Sequence, residues 1–546
     1  MNYVMPFIVG MAVTMVCLPM LARLAARWLI IDRPGVRKVH TIPIPRVGGV
    51  AMAAGVVVAA LLTVHLQAAD RWFLAAAAIL IIFGVLDDRF DLDYRIKLIG
   101  QVLAVMIVVL GGDVRIHMIA LDDRLSLPAW VSMPLTVFFL VGVTNAVNLA
   151  DGLDGLAGGT TFLCLCAVAL ISSVGDTGSA TALALAFAGA VLGFLRFNTY
   201  PASVFMGDAG SQLLGFTIGV LSIRATQGVS SEISAAIPIL LLAVPILDTL
   251  SVMVQRLSEG RSPFSADKNH IHHKLLALGF DHHEAVMVIY VVQGALFVLA
   301  YFLRYESDVL ILALVSAFFL TSIGVFQIAA RSGWRFRRRD GKKIDSAVPR
   351  LLTMMQQPGV IPQLSYLAIA AAIGTYASLI VLETATLTSD FRVLIIALLA
   401  VIAGFSVVLR KSPLNFVEKA ALYVTATVLV YLDAVLLPED RLLSALGWTA
   451  VGVAALATAA RIRLYNDRGF QLTPLDLIVL FMALVVPSLP GTLHLPHGGA
   501  LAIAKLVIVF YALEMLVSRS EHRAIWLRLA AAGILAGLVL RPLLTG

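Results

Sequence analysis

The chain reads as an all-α, polytopic membrane protein. Three observations say so: 60% of its 546 residues are hydrophobic, only 13% are charged, and mean hydropathy is +0.94, far from the balance of a soluble domain. The apolar residues fall into runs of about 18–22, the length a helix needs to cross about 30 Å of hydrocarbon. Helices also satisfy their own backbone in lipid, which open sheets do not.

Spans are expected near 2–22, 47–66, 72–86, 96–112, 132–149, 160–174, 179–195, 210–224, 234–254, 285–303 and 308–330. A second set follows near 364–383, 392–409, 417–437, 442–460, 475–491, 499–517 and 525–543. That gives about 11 transmembrane helices in a first part and about 7 in a second. The expected division is a membrane core over 1–330, a basic cytoplasmic linker over 331–363 and a C-terminal transmembrane region over 364–546. Residues 2–22 lack a basic leader and a small-residue cleavage site, so they read as a retained span.

Basic residues set the direction of insertion. The first connection carries Arg23, Arg27, Arg33, Arg37, Lys38 and Arg46, which places it in the cytoplasm. Alternation then puts Asp87–Lys97, Asp151–Gly159, Arg196–Asp208 and Arg256–Glu284 on that same face, while the opposite connections are short or bland. The net charge of +7 therefore serves topology, and no nucleic-acid partner is expected. The stretch Arg331–Arg350 holds eight basic and two acidic residues, an anchor beside anionic membrane lipids. Cys17, Cys164 and Cys166 all lie in apolar segments, so neither a disulfide framework nor a zinc site is implied.

Carboxylates are expensive at membrane depth, and here they cluster. GVLDDRFDLDYRIKLIGQ (84–101) brings Asp87, Asp88, Asp91 and Asp93 to one span end, with Lys97 following. Crowded carboxylates raise one another's pKa or recruit a cation. NAVNLADGLDGLAGG (145–159) spaces Asn145 and Asn148, then Asp151 and Asp154, three apart, among glycines that allow a ligand to approach the backbone closely. RFNTYPASVFMGDAGSQLLGF (196–216) sets Asp208 just before a span, where a carboxylate suits Mg2+ and free helix N–H groups suit a phosphate. SPFSADKNHIHHKLLALGFDHH (262–283) holds five of the 11 histidines. His270, His272 and His273 suit phosphate or sugar oxygens better than zinc, for which the spacing is wrong; His282 and His283 read as loop residues. No nucleotide-binding P-loop occurs, which argues against an ATP-driven machine.

Taken with KVHTIPIPRVGG (38–49), these motifs resemble, in order and spacing, the polyprenyl-phosphate N-acetylhexosamine-1-phosphate transferases. This membrane superfamily, glycosyltransferase family 4, includes the WecA/TagO and MraY types. The resemblance covers residues 1 to about 330 and implies transfer of a sugar 1-phosphate from a UDP-sugar to undecaprenyl phosphate, with UMP released. It implies Mg2+ (with Mn2+ as an alternative) on Asp208 and Asp151. Asp87 or Asp88 would deprotonate or orient the lipid phosphate, and Lys97 would balance charge. Asn148 and Asp154 would help hold the nucleotide, Asn198 would bind substrate, and His270, His272 and His273 would contact the diphosphate or sugar. HIHHKL is closer to the WecA/TagO form than to the muramyl-pentapeptide form, which favours a UDP-N-acetylaminosugar, foremost UDP-GlcNAc. The implied setting is the bacterial cytoplasmic (inner) membrane with the site facing the cytoplasm, starting a lipid-linked polysaccharide. A homodimer and docking of later polysaccharide-assembly enzymes are further expectations. Two readings of another class stand beside it: a transporter, and a non-catalytic scaffold. Residues after Lys343 have no counterpart in the resemblance.

Overall fold

The computed structural model describes residues 4–32, 43–120, 124–174, 178–228, 232–262, 269–332, 334–335, 360–384, 387, 389–408, 416–436, 441–464, 474–475, 477–478, 481–482, 499–517 and 524–545. The basic stretch 336–359 and most of the expected span 475–491 lie outside them. The chain forms two compact units: Met1–Asp340 with Thr473–Ile478, and Gly341–Leu472 with Val479–Gly546.

The first unit is a helical bundle: α1 (Val4–Trp28), α2 (Gly48–Thr63), α3 (Ala68–Phe90), α4 (Tyr94–Leu110), α5 (Ala129–Ala150), α6 (Leu156–Val174), α7 (Gly178–Asn198) and α8 (Gly207–Thr226). It continues through α9 (Ile237–Leu241), α10 (Ala243–Ser258), α11 (Ile271–Ala277), α12 (His282–Phe302) and α13 (Asp308–Ser332). Two short antiparallel ribbons interrupt it, Ile31–Asp32 with Ile44–Pro45, and Met118–Ala120 with Arg124–Ser126. Eight helices among the described residues are long and apolar enough to cross a membrane, and shorter apolar helices such as α2 accompany them. The protein is a multi-pass helical membrane protein.

α8 is the pillar. Nearly every residue from Ala209 to Thr226 is buried, Ser211, Gln212, Thr217, Ser222 and Thr226 included, so the helix is enclosed on all sides. It is flanked by α2, α3, α5 and α6. Small residues set how closely they approach, as in other membrane bundles. A Cβ on Gly49 of α2 would lie 2.3 Å from the Gly210 nitrogen, and one on Gly84 of α3 would lie 2.3 Å from the Ala209 Cα. These contacts draw the ends of α2 and α3 onto the first turn of α8.

The single span expected over 234–254 is instead broken at Leu242, between α9 and α10. Pro245 has no N–H to donate to the Leu241 carbonyl one turn back. That carbonyl is satisfied from other helices: Gln293 Nε2 donates at 2.9 Å and Cys164 Sγ at 3.3 Å. His282 and His283, expected in a loop, open α12, where Asp281 and Glu284 form a capping box.

In the second unit, six helices are described: Val360–Glu383, Ser389–Val408, Phe416–Leu436, Arg441–Leu464, Gly499–Val517 and Ala524–Thr545. Their core includes Tyr376, Tyr423, Ile395 and Leu535.

Candidate active site

Polar segments distant in sequence are stitched together at one end of α8. Phe205 donates its N–H to the Pro45 carbonyl at 2.8 Å, while Gly48 and Gly49 donate to the Phe205 and Met206 carbonyls, each at 2.9 Å. Gly48 and Gly49 thus serve a backbone zipper with 205–206; residues 38–42 of that motif lie outside the described residues.

The first turn of α8 lacks a cap from its own chain segment, since Met206 precedes it without a side-chain bond. Asp88, from the end of α3, supplies one: its Oδ1 accepts from the Asp208 N–H at 3.0 Å and its Oδ2 from the Ala209 N–H at 3.2 Å. Gly207 sits at φ +71°, and a Cβ there would meet Asp88 Oδ2 at 2.3 Å, so glycine satisfies both the backbone angle and the space. The sequence leaves the α8 amides open for a phosphate; in the structure Asp88 takes those of Asp208 and Ala209. Arg46 lies between Asp88, at 3.8 Å, and Asp32.

Asp87 points elsewhere. Its Oδ1 accepts from the Leu92 N–H at 2.9 Å, and Lys97 Nζ lies 2.6 Å from its Oδ2 and 3.6 Å from Asp208 Oδ2. One ammonium therefore stands between two carboxylates from different helices. Asp208 is in the first turn of α8, not ahead of the span, with its side chain about a quarter exposed.

The second acidic stretch closes the opposite side. Asp151 caps the end of α5. Its side chain reaches solvent on one side while protein surrounds the rest. That desolvation, and then the charges of Asp208 and Asp154, push its carboxyl up to about 7. Asn148 Oδ1 accepts from Ser211 Oγ at 2.6 Å, and Asp154 Oδ2 from the Ala202 N–H at 2.9 Å. Asn198 was expected to touch substrate. It is buried instead, accepting from the Gly155 N–H at 3.0 Å and donating to the Val204 carbonyl at 2.9 Å; both ends of its amide are engaged in holding this loop. Asn145 pairs with Gln101, which also bonds Gln212, knitting α4, α5 and α8 below the site.

The histidines complete the arrangement through a residue that sequence reading missed. Asp248 of α10 has its Oδ2 2.9 Å from His270 Nδ1, and its Oδ1 accepts from the Ile271 N–H at 2.6 Å. His270 and His272 stack with ring centroids 5.8 Å apart, and His272 and His273 lie 4.3 Å apart. A Cβ on Gly152 would meet His272 Cε1 at 2.3 Å, so this imidazole rests on the DGLDG loop. Burial, then the neighbouring His273, push His272 down to about 4. The only hint of Asp248 in the sequence is a carboxylate in the middle of the apolar stretch VPILDTLSV.

Would such a site suit a divalent cation? Among the described residues no group of three or more His, Cys, Asp or Glu converges as a ready cage. The donors are carboxylate oxygens that crowd one another: Asp208 shares Lys97 with Asp87, and it raises Asp151. A hard dication held by one or two carboxylates, with phosphate and water oxygens completing its shell, fits such a set; a soft or nitrogen-preferring metal does not.

Fold and site together define a multi-pass membrane protein with a carboxylate-lined polar centre at the end of its buried pillar helix. The model for glycosyl transferase family 4 matches residues 71–226. A probable undecaprenyl-phosphate N-acetylglucosaminyl 1-phosphate transferase of Bacillus subtilis is 38% identical over 293 residues, covering 53% of this chain and 81% of the relative. The decaprenyl-phosphate N-acetylglucosaminephosphotransferase of Mycolicibacterium smegmatis is 36% identical over 303 residues (50% of this chain, 74% of the relative). The undecaprenyl-phosphate alpha-N-acetylglucosaminyl 1-phosphate transferase of Escherichia coli K12 is 30% identical over 320 residues (57% and 86%). The chain belongs to glycosyl transferase family 4.

Proposed function

We propose that this protein transfers N-acetylglucosamine 1-phosphate from UDP-GlcNAc to a polyprenyl phosphate, undecaprenyl phosphate foremost, and releases UMP. The observation that carries the reading is the meeting of Asp87, Lys97 and Asp208 beside Asp151. The names of the relatives, all GlcNAc-1-phosphate transferases, support the sugar over a muramyl pentapeptide. The setting is the bacterial cytoplasmic membrane, with the site on the cytoplasmic face that the basic loops select.

Attacker and electrophile are both anions, so the site must offset repulsion and align an oxygen with the β-phosphorus. Mg2+ on Asp208, with Asp151 near, would supply charge neutralisation on the diphosphate. Lys97 adds a fixed positive charge between Asp87 and Asp208. Of the two adjacent acids, Asp88 is committed to the α8 amides. Asp87, held by the Leu92 N–H and by Lys97, accepts or orients the proton of the lipid phosphate, which attacks directly. His272, neutral at physiological pH, donates from a ring nitrogen to a phosphate or sugar oxygen, and Asp248 fixes His270 beside it. Asp154 and Asn148 shape the nucleotide side through the loop that Asn198 holds.

The test is UMP release by purified protein given UDP-GlcNAc, undecaprenyl phosphate and Mg2+. Lipid-dependent UMP that vanishes with EDTA and in Asp208→Asn supports the proposal. Turnover with another UDP-aminosugar alone would change the donor, and silence with all of them would leave a scaffold.

A further inference from the structure

The site holds a second cation that the transfer scheme leaves without a role. Among the described residues, Asp87, Asp88 and Asp208 pair with two cations, Lys97 and Arg46. Lys97 serves Asp87 and Asp208, while Arg46 reaches Asp88. Arg46 also acts on Asp151: burial, then Asp208 and Asp154, push that carboxyl up, and Arg46 draws it back.

The main chain presents this guanidinium in a fixed place. The Arg46 N–H donates to the Ile30 carbonyl at 3.1 Å, and its backbone bridges in parallel to Phe205. The ribbon that pairs Asp32 with Ile44 runs directly into it, and Asp32 Oδ1 accepts from Arg46 Nη2. A guanidinium carries five N–H donors, and Asp32 takes only the Nη2 end. Nη1 stands 3.8 Å from Asp88 Oδ1, beyond hydrogen-bond reach, because Asp88 gives both its oxygens to the α8 amides. The Arg46 side chain is 32% exposed. A clamp between Asp32 and Asp88 would draw Nη1 into contact and close it off. Here Nη1 is held short of its nearest carboxylate, with part of the side chain open to solvent.

We propose that Arg46 binds a phosphate group of a substrate through Nη1, as a second fixed cation beside Lys97. The inference rests on the transferase reading above. A phosphate entering among these carboxylates meets like charge. A planar fork of N–H donors matches its oxygens in a way that a single ammonium does not. Asp32 fixes the guanidinium, and Asp88 keeps its charge in place without taking its donors. Two phosphorylated partners meet in the reaction, the nucleotide donor and the lipid acceptor, and both offer the same oxygens.

Equilibrium binding to the full-length protein in detergent, at saturating Mg2+, separates the phosphate from the rest of each ligand. UDP is compared with uridine, and a short-chain polyprenyl phosphate with the corresponding polyprenol. In Arg46→Gln, UDP or the polyprenyl phosphate should bind about 10–100-fold more weakly, the range for a charge-assisted hydrogen bond. Uridine and the polyprenol should bind as they do to wild type. A loss confined to one phosphorylated ligand supports the proposal and names the phosphate that Arg46 holds. If Arg46→Gln fails to fold, Arg46→Lys keeps the charge without the fork and should lose part of the same preference. Equal losses with and without the phosphate would make Arg46 a structural clamp and overturn the proposal, as would no loss at all. Wild type that binds neither UDP nor the polyprenyl phosphate would sink the transferase reading and this inference with it. Wild type that binds them, with the Arg46 variants unchanged, removes this inference alone.

Discussion

Asp88 on α3 caps α8 from outside, accepting the backbone N–H groups of Asp208 and Ala209 through its two carboxylate oxygens. One acid of the adjacent pair therefore caps α8, while the other pairs with Lys97. Asp88→Asn keeps one acceptor but loses the charge and the second bond. We expect it to cost about 0.5–2 kcal/mol, the range for a lost helix cap, seen as a lower melting temperature in detergent. Asp208→Asn should melt like wild type and lose about 100–1,000-fold in kcat. The reverse pattern would exchange their roles.

Lys97 stands 2.6 Å from Asp87 and 3.6 Å from Asp208. Lys97→Met removes a cation that competes for those carboxylates. The expected outcome is a lower Mg2+ concentration for half-maximal activity together with a kcat about 100-fold down. A raised Mg2+ requirement would show that Lys97 supports the metal site.

Asp248→Asn should slacken His270 without touching a reacting atom. Misplacement on the order of 1 Å costs up to about 100-fold, so we expect a 10–100-fold loss in kcat/KM with near-normal melting. An Asp248→Glu variant that recovers part of the activity would support orientation by the carboxylate.

His272, pushed down to about 4, is neutral when folded and takes up a proton near 6.5 when unfolded. The unfolded state then binds more protons below pH 6.5, so stability falls as pH drops from 6.5 towards 4 and is complete above that window. His272→Asn should flatten this dependence in melting curves across the same range. An unchanged slope would assign the pH sensitivity to other groups.

Gly84→Ala tests the approach of α3 to α8. The new Cβ would meet the Ala209 Cα at 2.3 Å, backbone that cannot rotate away. Overpacking of this kind typically costs about 1–3 kcal/mol, measurable as a melting shift, with activity falling because Asp88 is displaced from the α8 amides.

Much of this arrangement is legible in the sequence because membranes simplify the problem. Carboxylates wedged between apolar runs have few reasons to exist, and basic loops place them on one face before any contact is known. Asp87, Asp151, Asp154 and Asp208 follow from that logic. The division of labour between Asp87 and Asp88 does not, since it depends on which oxygen meets an amide 120 residues away. Asn198 reads like a ligand, yet its burial and two backbone bonds are properties of the folded loop. Asp248 is hidden for the opposite reason: it sits within an apolar helix, and only the packing of α11 brings His270 to it. The break at Leu242 was signalled by Pro245, but hydropathy averages over a single missing N–H.

The backbone zipper between residues 45–49 and 205–206 has a meaning for biosynthesis. The acidic end of α3 leaves the ribosome well over a hundred residues before the helix it will cap. In that interval Asp88 has neither the α8 amides nor the glycine that accommodates it, and the first half of the reactive centre waits at the membrane border. Assembly of the catalytic unit is thus timed by the arrival of one late helix, so a chain truncated before Gly207 would insert its early spans and still never possess a site.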